Sequence, residues 1–327
     1  EKLNTKENGR QGGNKILITS SAKKIPLIFG VKKALNKIGG KGVIIGADNN
    51  SLAISRYFVD KFWKMPTTVQ KNLSQILTYC KKNKITHIIP SRDGELMFWA
   101  KNEHIFKNNH IAVMISPSKA IEINNDKLKF YQFCRKYIFL SIRTALHIDD
   151  IKSRKFVVKE RFGAGSETIG INLDRRKAIK HAQKLTNPIF QPYIKGEEYS
   201  VDVYIDKTGK AKGAIARKRS LVVNGESQIT IVVNNKKITN ECIKLAHKLK
   251  LYGHIIFQVI LDKRDKIYFI ECNARFGGAS TASISAGLDS FYWFILEGLG
   301  QDISLYPFLA KYKIKQIRYP KDFYLYD

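Results

Sequence analysis

Hydrophobic residues in this chain come in short blocks separated by polar stretches, and the period inside each block separates strand from helix. Residues 15–19 (KILIT), 43–47 (VIIGA), 86–90 (THIIP) and 111–115 are compact apolar runs that read as buried strands. Between them, 26–38, 69–82 and 95–106 carry apolar residues at helical spacing, and Pro26 suits a first helical turn. Short strands alternating with amphipathic helices predict an α/β fold: an open, mostly parallel sheet with helices on both faces. Ligands of such sheets bind beyond the carboxyl ends of the strands, which here carry Ser20-Ser21, Asp48 and Ser91 to Glu95. Asp93 and Glu95 are also placed to cap the next helix, the reading we favour. No G-x-G-x-x-G follows the first strand, which argues against a dinucleotide site.

After Ser116 the pattern changes. A short helix starts at Ser116-Pro117-Ser118, and Asn125-Asp126 caps another that contains Lys127 and Phe130. Strand 156–160 (FVVKE) then runs into a glycine-rich loop, 161–170 (RFGAGSETIG), followed by another strand-like piece at 171–173. A Walker-type loop would open a helix there, so a hairpin flap whose backbone N–H groups cover phosphates is the remaining reading. Lys159 lies just before it, and an ammonium on a mostly apolar strand needs an anionic partner or a route to solvent. Helix 174–186 leads to 188–194 (PIFQPYI), where proline interrupts strand pairing and frees backbone groups for an adenine edge. Glu198 follows, either as a ribose-binding carboxylate or as a surface acid at a strand start. In strand 212–220, Arg217 and Arg219 share a face, and helix 238–249 comes next.

The densest chemistry lies near the C-terminus. Apolar runs 252–263 and 266–278 flank a polar turn and predict a hairpin that pairs Asp262 with Ile267 and sets Gln258 opposite Glu271. Glu271, Asn273 and Arg275 then share one face, with Ile270, Cys272 and Ala274 on the other. Three oxygen-bearing side chains with a guanidinium beside them form a hard-oxygen site suited to Mg²⁺ and phosphates. An edge strand with a solvated polar face is the plainer alternative, but such faces are rich in Lys, Thr and Ser, and this one runs into Arg275-Phe276-Gly277-Gly278.

Composition narrows the class. The 327 residues are 44% hydrophobic and 26% charged, which fits a globular protein of two or three domains. No apolar run approaches the ~20 residues of a bilayer span, and the N-terminus lacks a secretory pattern, so a cytoplasmic protein is expected. The net charge of +29 is spread along the chain without a basic block or basic-aromatic interleaving, which predicts solvated lysines and no specific nucleic-acid partner. Cys80, Cys134, Cys242 and Cys272 form no C-x-x-C pair and read as reduced, buried thiols. The apolar run 291–299 is expected in the core or against a second copy in a homodimer.

In this order the pieces resemble the ATP-grasp superfamily, most closely the synthetase half of the carbamoyl-phosphate synthetase large chain and related carboxylate-amine ligases. The resemblance runs over about 15–300: Asn125-Asp126-Lys127, V-V-K with the glycine flap, Q-P-Y-I with G-E-E-Y, and F-Q-V with I-E-C-N-A-R. It implies a Rossmann-like pre-ATP-grasp domain at 15–117 and a two-subdomain ATP-grasp domain with antiparallel sheets at 118–305. The lid subdomain would span about 145–194, a C-terminal extension 306–327, and 1–14 would be a disordered or cloning-derived tail. By the same resemblance Lys127 and Lys159 bind ATP phosphates, with Lys159 and Arg275 acting in phosphoryl transfer, and Gly163, Gly165 and Ser166 belong to the lid loop. Gln191, Tyr193 and Ile194 form the adenine hinge, Glu198 holds the ribose, and Arg217 and Arg219 lie on the substrate side. Gln258, Glu271 and Asn273 hold Mg²⁺, with Mn²⁺ as an alternative. The implied reaction joins a small-molecule carboxylate to an amine through an acyl phosphate. Glutamine at 258, where many relatives have an acid, lies nearer the carbamoyl-phosphate branch. That leaves two alternatives: a single-half enzyme phosphorylating bicarbonate or carbamate, and an inactive ATP-binding sensor or scaffold.

Overall fold

A computed structural model describes residues 13–163, 168–223 and 225–326. Most of the expected tail, and the lid-loop residues Gly165 and Ser166, lie outside the described residues.

Five parallel strands form the first layer: β1 (Lys15–Thr19), β2 (Val43–Asp48), β3 (Lys61–Lys64), β4 (His87–Pro90) and β5 (Ala112–Val113), in the order β3-β2-β1-β4-β5. Strands such as β1 are buried along nearly their whole length, with Ile16, Leu17 and Ile18 all apolar, because helices cover both faces. Those helices are α1 (Ile25–Ile38), α2 (Leu73–Lys82) and α3 (Asp93–Asn108). The sequence pattern had shown every strand except β3, KFWK, an edge strand with only two aromatics; its Trp63 stacks on Tyr79 with ring centroids 3.6 Å apart.

Two short helices, α4 (Ser118–Asn124) and α5 (Lys127–Lys136), lead to a small antiparallel sheet in the order β7-β6-β8. Its strands are β6 (Phe156–Glu160), β7 (Gly170–Leu173) and β8 (Pro188–Pro192), and α6 (Arg175–Ala182) packs on it through Ala178. Asp126 ties this sheet to α5. Its carboxylate caps the helix by accepting from Leu128 N and Lys129 N, and it also accepts two hydrogen bonds from Arg161 at 2.8 and 2.6 Å.

The largest layer is an antiparallel sheet of six strands: β9 (Gly196–Ile205), β10 (Ala211–Val223), β11 (Glu226–Val233), β12 (Gly253–Asp262), β13 (Ile267–Asn273) and β14 (Lys315–Ile317). Val201, Val203, Ala216, Phe257 and Phe269 point from one face into a core shared with α3, α5 and the amphipathic α7 (Lys236–Lys248). On the opposite face Tyr204, Ile215 and Val232 meet α8 (Thr281–Ser285) and α9 (Ser290–Gly298). Most of the apolar run expected in the core or in a dimer interface forms α9 and is buried within this chain against α1 and β12, while Leu299 just beyond it is exposed. Among the described residues no helix is long and apolar enough to cross a membrane.

The hairpin β12-β13 pairs Gln258 with Glu271 as expected, but its turn differs. Leu261, not Asp262, faces Ile267, because a β-bulge at Ile270 takes up one residue. The bulge shifts the phase, so Ile267 and Phe269 share the buried face with Cys272 and Ala274, while Glu271 and Asn273 keep the opposite face.

Candidate active site

The polar residues of the large sheet's second face stand in rows fixed by register. Glu271, Gln258, Ser200 and Arg217 are neighbours across β13, β12, β9 and β10, and the next row places Asn273, Ile256, Asp202 and Ile215 together. The small sheet brings Lys159 against this face from β6. Lys159 is 5% exposed, and burial pulls its pKa down to about 8, with Glu271 opposing the shift, Lys127 adding to it and Glu198 opposing it. Burial pushes the Glu271 carboxyl upward, but Lys159, Lys127, the Asn273 amide and Arg219 outweigh it and hold the group below its ordinary value. An ionised carboxylate therefore sits within reach of two buried ammonium groups.

Lys127 Nζ donates to Gly163 O at 2.8 Å, at the root of the glycine loop, where Gly163 takes φ +84°, a conformation that a Cβ would strain. A cavity of ≈ 200 Å³ lies between this loop root and the sheet, lined by Lys127, Gly163, Glu271, Asn273, Asn124 and Asp93. Both polar side-chain atoms of Asn124 are buried there without a hydrogen-bond partner among the described residues. Buried polar atoms ordinarily have partners, so the orphaned amide marks a place where a polar ligand fits.

The donors suit a hard cation in part. Glu271 and Asn273 lie side by side, Asn273 Nδ2 donating to Glu271 Oε1 at 3.2 Å, and a carboxylate with an amide oxygen matches the one or two protein ligands that Mg²⁺ takes beside phosphates. Gln258 is committed elsewhere: its Oε1 accepts from Arg219 at 3.2 Å, so a metal there would compete with a guanidinium. Arg219 also donates to Glu198 at 3.1 Å and to Gly225 O at 2.7 Å.

Other expected residues are placed as follows. Gln191 is buried and its side chain donates to Thr144 Oγ1 at 2.7 Å. Tyr193 N–H is used by Lys155 O, whereas among the described residues Ile194 N–H has no backbone partner. Arg275 pairs with Asp93 and donates to Phe276 O at 3.3 Å, leaving Nε buried and unpaired among the described residues. Arg217 does not join the cluster. It is 2% exposed, bonded to Asp202 and within 3.4 Å of Ser280, so the substrate-side contact expected for it is replaced by a structural one.

Sequence reasoning missed that structural network. Asp202 is fully buried and accepts from Arg217, His254, Ser280 and Ser283. Burial raises its pKa, but Arg217 and His254 outweigh that and hold it far below the usual carboxylate range. Ser280 also accepts from Gly277 N at 3.3 Å, so the network fixes the turn that follows Arg275. Only the two-residue period could have signalled Asp202, which shares its face with Glu198 and Ser200. Glu95 caps α3 as expected, but Asp93 does not: it binds Arg275.

A parallel-sheet layer, a small antiparallel sheet and a large antiparallel sheet that hold such a cluster between them define the ATP-grasp fold, and the chain has that fold. Residues 184–319 match the family described as ATP-grasp in the biosynthetic pathway with Ter operon, and 16–114 match the PylC-like N-terminal domain. No curated protein matches the chain. Among solved structures it is similar to the biotin carboxylase domain of Hydrogenobacter thermophilus 2-oxoglutarate carboxylase in complex with MgADP and bicarbonate, with a TM-score of 0.72 at 18% identity, covering 94% of this chain and 74% of that one. N5-carboxyaminoimidazole synthetase from Staphylococcus aureus, complexed with ADP, gives 0.70 at 17% identity, over 93% and 81%. L-amino acid ligase from Bacillus licheniformis gives 0.69 at 16%, over 89% and 75%.

Proposed function

We propose that the chain is an ATP-dependent carboxylate-amine ligase. The observation that carries this reading is the burial of Lys159 beside Glu271 and Lys127, because two desolvated ammonium groups around one carboxylate need further anions, and a nucleotide polyphosphate supplies them. A carboxylate oxygen of the acid attacks the γ-phosphorus and the bond to the ADP oxygen breaks. The amine then attacks the acyl phosphate carbon, inorganic phosphate leaves, and the nitrogen loses a proton. The protein's work in the first step is positioning and charge neutralisation. Lys127 and Lys159 bind the phosphates, Arg275 steadies the transferred group, and Ile194 N–H offers a hydrogen bond to adenine. Glu198 would exchange Arg219 for ribose hydroxyls. Glu271 and Asn273 would hold Mg²⁺, or Mn²⁺, which supplies further charge neutralisation at the phosphates.

Incubation with Mg·ATP and pools of carboxylic acids, with hydroxylamine as trap, tests this. A hydroxamate formed with ADP supports it; ATP turnover that no acid stimulates and that yields no hydroxamate refutes it. A second reading takes bicarbonate as the acid, favoured by the small cavity of ≈ 200 Å³ beside Glu271. Bicarbonate-dependent ADP release, with ¹⁸O passing from bicarbonate to phosphate, separates the two.

A further inference from the structure

A second and larger cavity, ≈ 420 Å³, opens at the carboxyl ends of the parallel strands, where Ser20 follows β1, Asp48 ends β2 and Arg92 follows β4. The sheet order reverses direction between β1 and β4, and the crevice at such a reversal is the ligand site of open parallel sheets. Its charges are unevenly matched. Asp48 accepts from Ala22 N and Asn50 N, each at 3.0 Å, and Glu95 accepts from Ser91 N, Arg92 N and Trp99 Nε1. The two other carboxylates that act on Lys24 are also engaged, Asp93 with Arg275 and Glu226 with Arg318. On the cationic side, the half-buried Lys24 ammonium has neither a hydrogen bond nor an ion pair among the described residues. Among the described residues the Arg92 side chain has one hydrogen bond, 3.3 Å to Ser20 Oγ, and Lys23 is exposed. Burial lowers the pKa of Lys24 and Arg275 lowers it further, so its charge is held at a cost that an anion would relieve.

We infer that this cavity binds the amine substrate through an anionic group, a carboxylate or a phosphate, which that substrate carries besides its nucleophilic nitrogen. The inference rests on the ligase reading and adds the substrate class. The first turn of α3 joins the two cavities: Arg92 and Glu95 line the larger one, while Asp93 and Gly94 line the one that holds Glu271. The charges acting on Lys24 are Arg275, Asp93, Glu226 and Glu95, and those acting on Lys159 are Glu271, Lys127 and Glu198. The two cation groups therefore serve different anions, with Arg275 between them. An amine anchored by its anion at Lys24 and Arg92 points its nitrogen past Asp93 toward the acyl phosphate. A simple alkylamine or diamine meets only Asp48 and Glu95 there, carboxylates already engaged by backbone and indole N–H groups, beside three cationic side chains.

The test uses three probes on the full chain, with and without Mg·ADP: β-alanine for the carboxylate source, O-phosphoethanolamine for the phosphate source, and ethanolamine as the control. Titration calorimetry should show one anionic probe binding about ten-fold or more tighter than ethanolamine, a preference lost in the Lys24→Ala/Arg92→Ala double variant and restored by Lys24→Arg with Arg92 intact. Mg·ATP affinity of the double variant should stay within about two-fold of the parent. Equal binding of all three probes, or an unchanged preference in a folded double variant, overturns the inference. Failure of the parent chain to bind Mg·ATP would instead remove the ligase reading, with the probe result still deciding what the cavity binds.

Discussion

Replacing Lys159 by methionine should make the protein more stable and at the same time deprive it of nucleotide. Methionine keeps the unbranched stem that packs between the sheets and removes the charge. Moving the lysine pKa from 10.5 to about 8 on folding corresponds to a cost of roughly 3 kcal/mol at neutral pH. Glu271 loses a counter-charge in the variant, so a net gain of about 1–3 kcal/mol is expected, or about 2–8 °C in the unfolding midpoint. The sign has a pH signature. Between about 8 and 10.5 the unfolded chain binds more protons at this lysine than the folded chain does, so parental stability rises with pH across that window. The variant lacks that rise, and its advantage should shrink from pH 7 to pH 10. Thermal unfolding at both pH values, together with Mg·ATP titration, measures all of this, and affinity should fall about ten-fold or more. A variant less stable than the parent by the same amount at both pH values, or one that binds Mg·ATP unchanged, refutes the reasoning.

Mg·ATP affinity of the parent should weaken as pH rises past about 8, where Lys159 loses its proton, and a flat profile between pH 7 and 9.5 would remove Lys159 from the phosphate site. Asp202→Asn should cost about 3–5 kcal/mol in denaturant unfolding, since it leaves Arg217 buried without its counter-ion. Because the Asp202 pKa is depressed by folding, its contribution is present above the ordinary carboxylate value and is lost as pH falls through the lower folded value, so the variant and the parent should converge in acid. Asn124→Leu, which removes two unpaired buried polar atoms, should leave stability unchanged or raised while weakening ligand binding beside Glu271, as read by calorimetry with Mg·ATP and the acid that stimulates turnover.

Where a function of the chain depends on neighbours in sequence, the residues announced it. The pairing of Gln258 with Glu271 followed from hairpin register, and the shared face of Glu271 and Asn273 followed from strand period, even though the bulge at Ile270 moved the turn by one residue. Ile270, expected to share the face of Cys272 and Ala274, is instead the bulged residue, since a bulge leaves no mark in an apolar run. Three strands escaped: β3, which is short and polar at both ends, β11, whose partner β10 continues further than its apolar core suggested, and the three-residue β14. Contacts between distant segments were invisible. Asp202 meets residues up to 81 positions away, and Arg275 meets Asp93 across 182. For that reason Arg217 looked like a substrate contact when its partner is a buried carboxylate, and Lys24 attracted no notice at all.

The central claim, that Glu271 and Asn273 hold a divalent cation on a triphosphate beside Lys159, is tested most directly by nucleotide titration with and without magnesium on the parent and on Glu271→Gln, an exchange that keeps shape and removes the anion. The account predicts that magnesium tightens ATP binding by the parent and has little effect on the variant. Equal tightening in both would contradict it.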